Sequence, residues 1–375
     1  MTDRPQTALI TGFPRLLARG LAQRCLNRGD AHRAWLLIQP DQRAAAEAFA
    51  ADLPPAQRAR LRLFEGSLDD IDLGLPGAEV NSLLTEVTLL FHADREHGAS
   101  RAPSRANLRR LHALLELARD VTRLERVALF STAFVSGDRS GVIDEEDLDC
   151  GQRLRTPFEH AMFAMEQMAR LAMPRLPITV LRPGAMIGHS RTGDSSGLTD
   201  GPNYLVNLLI RLPAEVPMLL PGTGGVPFNI VPIDYVVRAA WELALRPEAA
   251  GRTFHLTDPN PVSTRQAFEL ISTLVNRSAP FAGLLPARLI RRALKVARLD
   301  RLAPQKVALL EDLNRNVIYR CAGTLELLAD TDVVCPAFES YADALVAWMA
   351  TYERAVRAAR GPSPATADPA SGATR

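Results

Sequence analysis

Short apolar runs at residues 7–10, 34–38, 61–64, 87–91, 127–131 and 178–181 recur through the first half of this chain, several followed by stretches of helical periodicity. Runs this short and this uniformly apolar suit strands buried on both faces, and strands alternating with helices assemble as a parallel sheet covered on both sides. The first run ends at Thr11-Gly12. An amphipathic segment follows at 16–26, with Gly29 placed to stop it. A helix through 44–49 follows the second run, and a polar loop at 96–104 with a helix to Leu117 follows the fourth. The pattern predicts an α/β fold built on a doubly wound parallel sheet, an architecture that binds nucleotides at the carboxyl ends of its strands.

Beyond about residue 184 the pattern is irregular. Residues 190–203 are rich in Gly, Ser and Asp and read as a loop. Short strands at 226–231 and 253–256 are expected to rejoin the main sheet or its edge, with helices at 235–245, 265–275 and 341–358. The predicted organisation is a nucleotide-binding domain over 1–185 with 226–258 rejoining it. A smaller C-terminal substrate or lid domain takes 186–225 and 259–358, and 359–375 form a disordered tail too poor in large apolar residues to bury a core. The net charge of +2 gives no pull toward nucleic acid. Cys25, Cys150, Cys321 and Cys335 lack metal-ligand spacing, so reduced thiols, a cytoplasmic location and no metal are expected. The N-terminus runs into the first strand without a signal peptide, and no apolar run approaches the roughly 18 residues of a membrane helix.

Several motifs share one order along the chain. They are Thr11-Gly12-Phe13-Pro14, Leu73-Gly74-Leu75, His92-Ala93, Asn107 at a helix start and Ser131-Thr132-Ala133-Phe134-Val135-Ser136-Gly137. Leu181-Arg182-Pro183-Gly184, Val231-Pro232-Ile233-Asp234-Tyr235, Phe254-His255-Leu256-Thr257 and Cys335-Pro336-Ala337-Phe338-Glu339-Ser340-Tyr341 follow. Together they resemble the extended short-chain dehydrogenase/reductase family, in its thioester-reductase and male-sterility-type branch, over roughly residues 7–349. The resemblance implies a Rossmann-type domain with a smaller substrate domain, NADP or NAD as cofactor, and hydride transfer to a carbonyl or acyl thioester. It places the cofactor along Thr11, Gly12, Phe13, Pro14, Arg15, Leu16, Gln39, Arg43, Ser67, Leu68, His92, Ala93, Asn107, Ser131, Pro183 and Gly184.

The chain departs from the family pattern at these positions. The cofactor loop needs glycines for a tight turn and for backbone approach to the pyrophosphate. Gly12 is kept and Ala18 can serve the helix–strand packing, but Arg15 takes the middle position. Two readings stand: Arg15 pairs with a phosphate, or it fills the groove, with a backbone cost of about 1 kcal/mol if its φ is positive. Gln39, with Arg43 one turn on, leans toward NADP, though Gln39 reads equally as a solvated strand end. Ser67 follows Gly66 where the family places an Asp, and Arg110 stands where a small residue usually lines the cofactor wall.

The family's catalytic set is a Ser or Thr that orients the carbonyl, a Tyr that passes the proton and a Lys that lowers the Tyr pKa. Thr132 is retained, while Phe158 and Met162 occupy the Tyr and Lys positions. Neither can do proton work, and the helix around them reads as an apolar packed face. His92 and His160 are the candidate replacements, with Glu159 and Asp94 near them. His92 and Asp94 are expected in the loop after the fourth strand, near the nicotinamide, and His160 points away from the Phe158 face.

Residues 286–302 read as a basic amphipathic helix, expected to serve as a lid over the cleft or as a contact with an anionic membrane or an acidic carrier protein. Residues 202–220 could line an apolar acyl pocket or form the second domain's core. Three functions stay open. One is a degenerate reductase, non-catalytic or weakly nucleotide-binding, tied to lipid or acyl metabolism. Another is an active NAD(P)H-dependent oxidoreductase using Thr132 and an unorthodox acid. The third is an acyl-chain or carrier-binding module, with a small acyl molecule or a partner protein as ligand and no nucleic acid.

Overall fold

The computed structural model describes residues 5–94, 102–198, 201–211, 224–276 and 311–360. The basic segment 286–302, the tail 361–375 and residues 212–220 of the expected acyl pocket lie outside the described residues.

The strands are β1 (Thr7–Thr11), β2 (Arg33–Ile38), β3 (Leu61–Glu65), β4 (Leu89–His92), β5 (Arg126–Phe130), β6 (Gly141–Ile143), β7 (Ile178–Pro183), β8 (Ala185–Ile187), β9 (Ile230–Pro232), β10 (Thr253–Leu256) and β11 (Val317–Tyr319). Seven of them form one sheet in the order β3-β2-β1-β4-β5-β7-β10. Every pairing within it is parallel. The chain folds as the α/β Rossmann-type sheet that its apolar runs predict. Helices α1 (Leu16–Asn27), α2 (Arg43–Ala51), α3 (Pro55–Arg58), α4 (Gly77–Glu86), α5 (Ala102–Asp120) and α6 (Pro157–Ala172) alternate with these strands. Then come α7 (Pro202–Arg211), α8 (Ile233–Ala244), α9 (Thr264–Leu274), α10 (Ala322–Leu328) and α11 (Ala342–Arg360).

Each face of the sheet has its own core. On one face α1 and α8 pack over Ile10, Leu36 and Phe91, and Trp241 stacks on Phe91 with ring centroids 5.1 Å apart. On the other, α5 and α6 bury Leu111, Leu114, Met162 and Met165 against Leu9, Leu90 and Leu129. A third cluster joins α7, α9 and α11. Helix α6 forms where Thr156 accepts a hydrogen bond from Glu159 N and Pro157 takes the first position, a cap worth about 1 kcal/mol.

Two expectations need correction. The strand read over 226–231 is confined to Ile230–Pro232, and it pairs with β8 rather than the main sheet. At Gly184 the chain leaves β7 with its backbone against Asn229; a Cβ there would lie 2.9 Å from the Asn229 carbonyl oxygen. Helix α5 starts at Ala102, so Asn107 lies buried inside it rather than opening it. Thr253–Leu256 does join the main sheet, as its edge strand β10. Among the described residues no helix is long and apolar enough to cross a membrane.

Candidate nucleotide and ligand site

The strand order reverses between β1 and β4, which creates a crevice at their carboxyl ends. Thr11 and His92 are register partners there. Gly12 follows with φ of +92°, and a Cβ on it would stand 2.6 Å from the carbonyl carbon and oxygen of Ala93. Only glycine fits so close an approach in that conformation. Phe13 turns inward to meet Phe49 at 5.8 Å, Pro14 is exposed, and Ala18 packs without any exposed surface. Arg15 caps α1 with φ of −62°, so the backbone cost attached to a positive φ does not arise. Its side chain is exposed, and the half-buried Leu16 packs against the core.

Beyond β2, the Gln39 side chain and Gln42 cap a short helical turn reciprocally. Arg43 is 63% exposed and pairs with Glu47 at 3.1 Å and Glu65 at 2.8 Å. Such exposed pairs contribute little, about 0–1 kcal/mol each, and leave the guanidinium exchangeable for a phosphate. After β3, Ser67 Oγ accepts from Asp69 N, Leu68 is buried, and the turn carrying Leu73 and Gly74 closes on Ser67 N through the Leu73 carbonyl. Arg110 reaches from α5 to Asp69 at 2.7 Å and to Asp94 at 3.4 Å. Those aspartates follow β3 and β4, which β1 and β2 separate in the sheet. Arg110 thus ties together two loops across the crevice. Asp69 carries no motif in the sequence that would single it out.

The residues expected at the catalytic positions stand on α6 and in the turn after β5. Thr132 is buried, and its Oγ1 accepts from Phe134 N at 3.3 Å. Met162 has no exposed surface and lies in the core that α6 shares with α5; Phe158 is half-buried against the same cluster. His160 is exposed on another side of the helix. Glu159 is buried and accepts from Arg155 N at 2.6 Å and from the Arg155 guanidinium at 2.8 Å, with burial pushing its carboxyl upward.

His92 is the last residue of β4 rather than part of the loop beyond it, a correction to its expected place. It is 1% exposed, and its Nδ1 lies 2.9 Å from Thr11 Oγ1. Its Nε2 is buried without a hydrogen-bond partner among the described residues. Burial lowers its pKa to about 4, so the ring is neutral at pH 7 and holds no ready proton charge.

Ser131 and Arg182 belong to a buried hub that the motifs did not reveal. Glu166 accepts from Ser131 Oγ at 2.9 Å, from Arg182 at 3.0 and 2.5 Å, and from Arg170 at 3.0 Å. Arg182 also donates to the Asp147 carbonyl at 2.6 Å. Both charges are fully buried, paired and hydrogen-bonded, the condition under which a buried ion pair is tolerated. One signal was available: Glu166 is a carboxylate on the helix side that also carries Met162 and Ala169. Pro183 and Gly184 end β7 at the same rim.

Next to this rim lies a recess of about 400 Å³ of empty space, part of it open to solvent. Phe134, Ala185, Phe228, Asn229, Ile230, Asp312, Leu313, Arg315, Val317 and Tyr319 line it with Pro202 and Pro227. Phe134 stands two residues beyond Thr132, and Ala185 directly follows Gly184. Tyr319 hydrogen-bonds Ser136 at 3.0 Å, fastening β11 to the turn after β5.

Residues 10–240 match the model of an NAD-binding family described as male sterility protein. Aldehyde reductase lnbA of Aspergillus flavus is 26% identical over 216 residues, 54% of this chain and 21% of that one. The chain spans about a fifth of that relative's length. The terminal R domain of the myxalamid PKS-NRPS biosynthetic pathway superposes with a TM-score of 0.75 at 22% identity, covering 94% of this chain and 92% of that one. A thiolation-reductase di-domain from an archaeal non-ribosomal peptide synthetase gives a TM-score of 0.73 at 15% identity, covering 94% and 76%. At these identities the two structures speak for the fold.

Proposed function

The chain belongs to the male sterility protein family, and from that premise we propose that it binds NAD(P) and a carbonyl or acyl ligand without tyrosine-dependent hydride transfer. The observation that carries this reading is the burial of Met162 in the core beside Phe158, where the reaction needs a cation and a phenol. Support for nucleotide binding comes from backbone features: Gly12 against Ala93, and the loop ends gathered at the β1–β4 crevice. Arg43, an exposed guanidinium one turn beyond Gln39, leans toward NADP, whereas Arg15 stands in the pyrophosphate loop that NAD and NADP share. When bound, the cofactor would supply hydride. In this chain Thr132 would orient a carbonyl, and no phenol follows from α6 to give it a proton.

The biological role proposed is a binding or partner protein in acyl metabolism, its ligand a small acyl molecule or one presented by a carrier. Purified protein titrated calorimetrically with NADPH is expected to bind in the micromolar range. It is expected to leave NADPH unoxidised when aldehydes or acyl thioesters are added; sustained oxidation would overturn the reading. One observation favours a second reading, an active reductase: Thr132 is kept, and His92 Nε2 lies buried without a partner among the described residues. That reading requires Thr132→Ala to abolish turnover and His92→Gln to change its pH profile.

A further inference from the structure

One wall of the recess is charged, and its two cations are unequally answered. Arg155 pairs with Glu159 at 2.8 Å and with Asp312 Oδ1 at 2.7 Å. Arg315 uses the same Asp312 oxygen, through Nη2 at 2.7 Å, and so shares a single acceptor atom with Arg155. Nε and Nη1 of Arg315 are buried without a hydrogen-bond partner among the described residues. The Arg315 side chain is 11% exposed and belongs to the lining of the recess. A desolvated guanidinium with two unanswered nitrogens is destabilising until an acceptor reaches it.

Elsewhere the lining is mostly aliphatic, with Pro202, Pro227, Ile230, Leu313 and Val317 prominent in it. Apolar walls exclude water and strengthen a contact between charges. Asn229 gives one amide hydrogen to the Val317 carbonyl at 3.0 Å and has a second to offer. Only about 40 Å³ of the recess admits the centre of a water-sized group, so it seats one end of a ligand rather than a bulky molecule. Water would fill that space without answering the charge. A phosphate dianion would bring more negative charge beside Asp312 than one half-answered guanidinium offsets. A carboxylate is planar, carries a single charge and suits guanidinium donors.

We propose that the recess is a carboxylate subsite, in which Arg315 receives the acid group of a small aliphatic acid. The proposal names a ligand class for the ligand-binding reading above and rests on that reading, though not on nucleotide binding.

Butyrate and butyramide form a matched anionic and neutral pair. Each is titrated at equal ionic strength into the nucleotide-free protein and followed by ligand-detected NMR. Wild type is expected to bind butyrate at least about tenfold more tightly than butyramide. Arg315→Gln removes the cation and is expected to abolish that preference. Asp312→Asn removes the competing carboxylate and is expected to tighten butyrate by about threefold or more. If butyramide binds as tightly as butyrate, or if Arg315→Gln leaves the ratio unchanged, this proposal is overturned and the ligand-binding reading stands. If neither probe binds, both fall. Should Arg315→Gln not fold, the wild-type ratio and Asp312→Asn still decide. Silence in a parallel NADPH titration counts against the nucleotide reading alone.

Discussion

The loop after β1 and helix α6 depart from the family pattern in different ways. At the loop, the features in place belong to the backbone: Gly12 at φ of +92°, Ala93 pressed against it, and the register of Thr11 on His92. The substituted residue, Arg15, adopts an ordinary extended conformation and leaves that geometry intact. On α6, the family pattern would place two side chains, a Tyr and a Lys, where Met162 lies in the core and Phe158 packs against it. A site written in backbone tolerates side-chain drift. A site written in a phenol and an ammonium group does not, because each must be present, solvated or paired, and aimed.

Met162→Lys presses hardest on that contrast. A lysine there would be an unpaired buried charge, so a loss of about 3–5 kcal/mol is expected in denaturant unfolding. An unchanged midpoint would mean that this face is still a polar site. Next in size is a pH effect. His92 and His255 are held below the usual 6.5 by burial, at about 4 and about 3. Between pH 6.5 and those values the unfolded chain binds the proton and the folded chain does not. Stability is therefore fully present above 6.5 and is lost as pH falls through the window, on the order of 3 kcal/mol for His92. His92→Gln should flatten part of that slope; an unaltered slope would place His92 in a more open setting. Gly12→Ala should cost about 2 kcal/mol from its positive φ and its contact with Ala93, and should remove nucleotide binding. The smallest effect is expected at Arg110→Ala. Removing this cation and freeing the Asp69 and Asp94 carboxylates should weaken binding of the anionic NADPH by about 1 kcal/mol. Tighter binding would mean that the Arg110 side chain obstructs the cofactor wall.

The main sheet was legible because its strands are continuous apolar runs and its helices carry a clear period. The small pairs β6–β11 and β8–β9 were not, since three-residue strands have no period to read. Gly12, Thr132, Phe158 and Met162 lie after β1, after β5 and on α6, the elements their motifs suggested. The ties among Arg110, Asp69 and Asp94, the Glu166–Arg182 hub and the Asp312 wall could not be read from motifs. Asp312 and Arg155 are 157 positions apart, and each alone looks like an ordinary solvated charge. Asn107 does not open α5, which starts at Ala102; it is buried within the second turn.

The central claim is that nucleotide binding has outlasted the tyrosine-dependent chemistry. NADPH absorbance, followed with purified wild-type protein and an aldehyde at a nucleotide concentration where calorimetry shows the site filled, tests it most directly. The account predicts saturated binding and no oxidation above the protein-free rate. Sustained oxidation that scales with protein concentration would contradict it.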